Sequence, residues 1–288
     1  MTRRSSLVEF RDRLRDRGID RSYSIAFTPR SGSTLLCRVL GHLSCGRPDE
    51  YFQYPYQSNR LSAHNCLSSA EDVLGFVESN AANRIFASKL SNDQRAHLDE
   101  RLEALFEGYR RLDDLLPGHR WIVLARRDLV GQAISLYVAR KSSRWHLQRG
   151  DRWDADPDVG YDYFGIYADL LYLASSAVGL DAYFQSIGVT PFRLCYEDFL
   201  ERPGPSLNGL FDYLELKAPA PDPSIVHDGD LVQISRRAAA LYADLRSRFL
   251  EDFLSMGRTD RHRRLGSELA NWDRFFTEEQ WARPCPQT

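Results

Sequence analysis

The chain lacks the features that mark several common protein classes. Its five cysteines are odd in number and show no CxxC spacing, which disfavours a disulfide framework and favours a reducing compartment. No uninterrupted apolar run approaches the ~18 residues of a membrane span, and residues 1–20 contain no apolar stretch of signal-peptide length. These absences predict a cytoplasmic protein without a membrane span.

The chain also has little net charge. Its 38 basic and 40 acidic residues leave a formal charge of -2, so we expect no basic face for binding nucleic acid. The seven histidines show no HxxxH or HExxH pairing, so the sequence gives no support for a metal site. An anionic ligand would therefore need a local cluster of donors.

Apolar residues are abundant enough for a substantial core. Segments typical of strands, at 23–27, 85–90, 121–125 and 192–196, alternate with segments of helical periodicity. This alternation predicts an α/β fold of three layers, α/β/α, with a central, mainly parallel sheet covered on both faces. We expect one domain over residues 1–288, with an amphipathic segment at 1–20. The polar segment 146–160, rich in Asp and Arg, is interpreted as a loop or lid.

The most informative segment joins the first strand to the next helix and reads TPRSGST at 28–34. Glycine lets the backbone approach a ligand closely, and the start of a helix offers free N–H donors at its positive end. The pattern predicts a phosphate-binding loop, although an ordinary Ser/Gly turn is the alternative. There is no GxxxxGK[ST] sequence, which disfavours an ATPase or kinase. The loop residues are Pro29, Arg30, Ser31, Gly32, Ser33 and Thr34.

A second cluster of donors follows the third predicted strand. Arg126 and Arg127 stand at the end of that strand, and Ser135 lies about two turns along the next helix. Ligands of open α/β sheets collect at the carboxyl ends of strands, so these side chains are placed to bind an anion. A solvated Arg–Arg–Asp turn is the structural alternative.

These motifs resemble those of sulfotransferases. PRSGST followed by two leucines is similar to the loop that binds the 5′-phosphosulfate of the donor, with Arg30 where many members have lysine. GRPDEYF at 46–52 resembles the G-x-P-x-E-[YF]-F segment of the bacterial trehalose 2-sulfotransferase type. The resemblance implies that Glu50 is the catalytic base, that Lys89 in SKL belongs to the active site and that Arg30 stabilises charge on the leaving phosphate.

In sulfotransferases a strand-end arginine and a helix serine bind the 3′-phosphate of the donor. The trehalose-type pattern R-x-D-x-V-x-Q-A-[VI]-S selects Arg126 with Ser135, whereas the spacing of animal cytosolic enzymes selects Arg127. We favour Arg126, because Asp128 and the QAIS sequence at 132–135 also agree with the first pattern. YEDF at 196–199 resembles a segment that follows a core strand in many members, and we expect it to have a structural role.

The activity implied by the resemblance is in-line transfer of a sulfuryl group from 3′-phosphoadenylyl sulfate to a hydroxyl, with a carbohydrate as the predicted acceptor class and without a metal. The segment 146–160, expected to line the acceptor, departs from the trehalose type, so the acceptor's identity does not follow. Relatives are often dimers, which makes a homodimer an expectation. Two alternatives stay open: a P-loop nucleotide kinase, and a non-catalytic relative that binds a nucleotide or a glycan.

Overall fold

The computed structural model describes residues 4–52, 67–145, 152–154, 158–217 and 233–256. Helices and strands alternate along most of this chain. The elements are β1 (Ser5–Ser6), α1 (Leu7–Asp16), β2 (Arg21–Phe27), α2 (Ser33–His42), α3 (Ala70–Asn80), β3 (Ile85–Leu90), α4 (Asn92–Leu105), β4 (Phe106–Glu107), α5 (Leu112–Leu115), β5 (His119–Ala125), α6 (Leu129–Ser142), β6 (Arg152–Trp153), α7 (Tyr163–Ile187), β7 (Phe192–Cys195), α8 (Tyr196–Glu201), α9 (Pro203–Leu214), β8 (Gln233–Ile234) and α10 (Arg236–Met256).

Four of the strands form the central sheet, in the order β3-β2-β5-β7, and every neighbouring pair is parallel. All six residues of β3 are buried, as are all residues of β2 except the first. Continuous burial of this kind is typical of a parallel sheet with both faces covered, and it explains why these strands appear as short apolar runs. The predicted α/β class with three layers is confirmed.

The two faces of the sheet are covered by different helices. Trp121 and Val123 of β5 belong to a buried cluster that includes residues of α1, α3, α4 and α5. Ile122 and Leu124 belong to a cluster on the other face, with residues of α2, α8 and α9. Successive side chains of a strand point to opposite faces, so one strand contributes to both halves of the core.

A third buried cluster joins α6, the first half of α7 and α10. By length and composition alone, α7 could cross a membrane, although Asp169 and Asp181 interrupt its apolar sequence. One side of α7 packs inside the protein: Ile166, Leu170 and Leu173 lie in the third cluster, and Leu180 and Phe184 lie in the cluster that contains Trp121. The helix also carries exposed apolar side chains, namely Phe164, Leu171, Tyr172 and Val178.

The segments outside the sheet follow the sequence expectations in part. Within the amphipathic segment at 1–20, Leu7–Asp16 form α1, which buries Phe10 and Leu14. The strand predicted at 192–196 ends one residue earlier, because Tyr196 begins α8. The predicted lid at 146–160 lies partly outside the described residues. Its described part contains β6, which pairs with β8 just before α10, so a short strand stands where we expected only a loop.

Candidate functional site

The loop at 28–34 connects the carboxyl end of β2 to the start of α2. Arg30 and Gly32 have positive φ angles of 64° and 89°, and a Cβ at Gly32 would lie 2.3 Å from a ring carbon of Tyr196. Only glycine fits there without a shift. Gly32 is also the N-cap of α2, and no side chain among the described residues caps this helix. The N–H groups of its first turn, which begins at the buried Ser33, therefore lack a capping partner and can bind an anion.

Arg30 links this loop to the helix that carries Ser135. Its Nε donates to Ser135 Oγ at 3.0 Å and its Nη1 donates to the Trp145 carbonyl at 2.7 Å. Burial lowers the pKa of Arg30, and the positive charge of Arg126 acts in the same direction. Both hydrogen-bond partners are neutral oxygens, so a bound anion would supply the negative charge that they do not.

Arg126 lies against the same loop. Its Nη1 donates to the Arg30 carbonyl at 3.3 Å, and its guanidinium carbon is 5.2 Å from the centroid of the Tyr196 ring. Its Nε is 3.7 Å from Glu197 Oε1. Within the described part of the chain this buried Nε has no hydrogen-bond partner, and neither has the buried Ser31 Oγ. Buried polar atoms left unpaired are costly, and two of them at one loop indicate a place where a ligand oxygen would bind.

Arg127 makes different contacts from Arg126, although the two residues are adjacent in the chain. Its Nη2 donates to both carboxylate oxygens of Asp198 at 3.0 Å, and 44% of its side chain is exposed. Its backbone N–H donates to Glu197 Oε2 at 2.9 Å. The structure therefore turns Arg126 toward the loop and Arg127 toward an acidic partner at the surface.

Glu50 and Lys89 form an ion pair beside the loop. Lys89 Nζ is 2.9 Å from Glu50 Oε2 and donates to Thr34 Oγ1 at 3.1 Å. Glu50 Oε1 accepts a hydrogen bond of 2.8 Å from Gln94 Nε2. The Lys89 side chain is 4% exposed and that of Glu50 is 14% exposed, so the carboxylate keeps some access to solvent. Residues from three separate motifs thus meet at one place.

Two residues of this site had no role assigned from the sequence. Gln132, which the sequence matched only as part of a motif, is buried and donates from Nε2 to Thr28 Oγ1 at 2.8 Å and to the Pro29 carbonyl at 2.7 Å. It thereby fixes α6 to the loop. Gln94 follows Ser91 at the spacing of a capping box, a signal that the sequence contains, but that signal does not reveal the contact with Glu50.

Comparison with known protein families matches the part of the chain that holds this site. The sequence model of the family described as Stf0 sulphotransferase matches residues 22–220, more than half of the chain. This range includes the loop, Glu50, Lys89, Arg126 and Ser135. A comparison with curated proteins gives no match. Among the residues that the structure describes, no group of three or more His, Cys, Asp or Glu side chains could hold a metal ion.

Proposed function

The chain belongs to the Stf0 sulphotransferase family and is therefore a transferase, and we propose that it moves a sulfuryl group from 3′-phosphoadenylyl sulfate to a carbohydrate hydroxyl. One observation carries the proposal. Among the described residues, no side chain caps the start of α2 and Arg30 bonds only to neutral oxygens, and both lie beside the Glu50–Lys89 pair. An anion-binding loop next to a carboxylate is the arrangement that transfer of a charged group to a hydroxyl requires.

The residues around the loop fit the two anionic ends of such a donor. Arg30, Thr34 and the first-turn N–H groups of α2 would hold the phosphosulfate at the 5′ position, since all of them belong to the loop or to the turn of helix that follows it. Arg126 and Ser135 would hold the 3′-phosphate. The buried Nε of Arg126 has no hydrogen bond to any described residue, which supports this assignment because a phosphate oxygen would satisfy it. Charge-assisted bonds to phosphate are also the stronger kind.

In the proposed reaction Glu50 accepts the proton of the acceptor hydroxyl. The hydroxyl oxygen forms a bond to sulfur, the bond between sulfur and the 5′-phosphate oxygen breaks, and adenosine 3′,5′-bisphosphate leaves with the bonding electrons. Each carboxylate oxygen of Glu50 has one protein partner and can accept a second hydrogen bond. A positioned base is worth about 10²- to 10⁴-fold in rate. Arg30 and Lys89 would stabilise the negative charge that develops on the leaving phosphate.

Other parts of the proposal rest on the sequence and on the resemblance. We propose a cytoplasmic homodimer, with one domain over residues 1–288 and the segment 146–160 as a lid over the acceptor. Two contacts support a defined path for the described end of this segment. Tyr137 Oη donates to the Gly160 carbonyl at 2.5 Å, and Ser235 Oγ donates to Asp154 Oδ1 at 2.6 Å.

The direct test is transfer of labelled sulfate from the donor into a panel of disaccharides, lipopolysaccharide cores and phenols, without added magnesium. Incorporation into a sugar would support the proposal, and incorporation only into phenols would refute the acceptor class. Turnover that requires magnesium ATP would instead indicate a kinase. Adenosine 3′,5′-bisphosphate at ~100 times its Kd should also add about 2.7 kcal/mol to the stability of the folded state. Binding without any transfer would indicate a non-catalytic relative.

A further inference from the structure

The first turn of α4 carries a residue that touches the proposed base. We propose that Gln94 is a positioning residue, which holds the carboxylate of Glu50 in the orientation needed to accept a proton. Gln94 Nε2 donates to Glu50 Oε1 at 2.8 Å, and the Gln94 side chain is buried. The inference rests on the proposed function, in which Glu50 is the base.

The orientation of the Gln94 amide is fixed by the capping box of α4. Ser91 Oγ accepts from the Gln94 backbone N–H at 3.3 Å, and Gln94 Oε1 accepts from the Ser91 backbone N–H at 3.0 Å. A backbone N–H can only donate, so the oxygen of the amide must face Ser91. The NH2 group must therefore face the other way, toward Glu50.

Gln94 and Lys89 hold the two oxygens of the carboxylate from two different elements. Lys89, on β3, is 2.9 Å from Oε2, and Gln94, on α4, binds Oε1. A single contact with the ammonium group would leave the carboxylate free to rotate about its last torsion, since that torsion is soft. The second donor defines the plane of the carboxylate, and both donors are themselves buried. Rigid support of this kind is what a catalytic group requires.

The amide of Gln94 is not explained by capping alone. A capping box accepts glutamate as readily as glutamine at this position, because only the side-chain oxygen is used. The NH2 group is the part that capping leaves free, and it is the part that binds Glu50. Glutamate at position 94 would set a second carboxylate against Glu50 instead of a donor.

The test compares two variants that separate the two roles. Gln94→Glu keeps the capping box but replaces the donor by a carboxylate that repels Glu50, so kcat should fall at least about 10- to 100-fold, the range for a hydrogen bond to a charged group. The repulsion between the two carboxylates should also lower the melting temperature, so Ser91→Ala serves to show what a loss of stability alone does to kcat. Affinity for adenosine 3′,5′-bisphosphate should change by no more than a few-fold. Ser91→Ala removes the cap and keeps the Gln94–Glu50 contact, so it should lower the melting temperature and leave kcat within a few-fold.

A double-mutant cycle shows whether the effect passes through Glu50. Gln94→Met keeps the length of the side chain without donor or charge, and it also serves if Gln94→Glu does not fold. It should lower kcat about 10-fold or more in the wild type and should have no further effect in a Glu50→Gln background. If Glu50→Gln is inactive but Gln94→Met is fully active, or if the two effects multiply, the inference fails and the proposed function stands. If Glu50→Gln is active, both fail.

Discussion

Replacement of Arg126 by alanine should weaken the binding of adenosine 3′,5′-bisphosphate, because it removes the guanidinium that lies against the loop at 28–34. The side chain is 24% exposed, and its buried Nε has no hydrogen bond to the residues that the structure describes. Arg127→Ala is a matched control, since it removes an adjacent arginine whose side chain is 44% exposed and bound to Asp198. The two variants delete the same chemical group from opposite sides of one turn.

The expected magnitudes differ for physical reasons. A charge-assisted hydrogen bond to a phosphate is worth about 1.5–3 kcal/mol, so Arg126→Ala should raise the Kd of the bisphosphate about 10- to 100-fold. It should barely change the Kd of adenosine 5′-monophosphate, which lacks the 3′-phosphate. An exposed ion pair contributes about 0–1 kcal/mol. Arg127→Ala should therefore affect both nucleotides by no more than a few-fold.

The assay is titration calorimetry of both nucleotides with the wild type and the two variants, without magnesium and at one fixed salt concentration, because salt screens contacts to phosphate. If Arg127→Ala rather than Arg126→Ala removes the preference for the bisphosphate, the 3′-phosphate binds Arg127. If the wild type binds both nucleotides equally, the element at 126–135 does not bind a 3′-phosphate and the proposed donor is wrong.

Three further results should follow. Gly32→Ala should abolish nucleotide binding, as measured by calorimetry. The new Cβ would lie 2.3 Å from a carbon of the Tyr196 ring, and the φ angle of 89° is strained for alanine. Normal affinity in this variant would show that the loop does not bind the nucleotide. Glu50→Gln should lower kcat about 10²-fold or more with nucleotide affinity within a few-fold; nearly full activity would exclude Glu50 as the base. Burial lowers the pKa of His119 to about 4, from about 6.5 when unfolded, so the unfolded state takes up this proton first as the pH falls. The free energy of unfolding should therefore fall by up to about 3 kcal/mol between pH 6.5 and 4. Urea denaturation at the two pH values should show a smaller fall for His119→Asn, and an equal fall in the variant would contradict this.

The strands of the sheet could be predicted from the sequence because their signal is local. β2 and β3 are buried along nearly their whole length, β5 is buried at its four central residues and β7 at its last two. Each strand therefore appears in the sequence as a short, mostly apolar segment. The helix α3 was not predicted, although its sequence carries a helical signal. Its buried residues Val73, Leu74 and Val77 recur at helical spacing, and Ser69 caps its start.

The partners within the site could not be predicted, because they depend on how distant segments pack. Arg30 and Ser135 are 105 positions apart, and Gln94 and Glu50 are 44 apart. Lys89 reaches the loop because β3 pairs with β2 in a register that sets Lys89 beside Ile25, two residues before the strand ends. No local pattern specifies that register. The motifs therefore identify the charged and hydroxyl side chains that could bind a ligand. Which of these side chains contact one another depends on the fold.

The segment after β7 explains why two adjacent arginines are arranged so differently. Tyr196 covers the face of Gly32, where no Cβ would fit. Glu197 accepts the backbone N–H groups of Arg127 and Asp128 and so holds the turn at the end of β5. Asp198 binds the guanidinium of Arg127. The ion pair with Asp198 holds Arg127 away from the loop, and the ring of Tyr196 packs against the guanidinium of Arg126. Through these two contacts the segment orients Arg126 toward the loop.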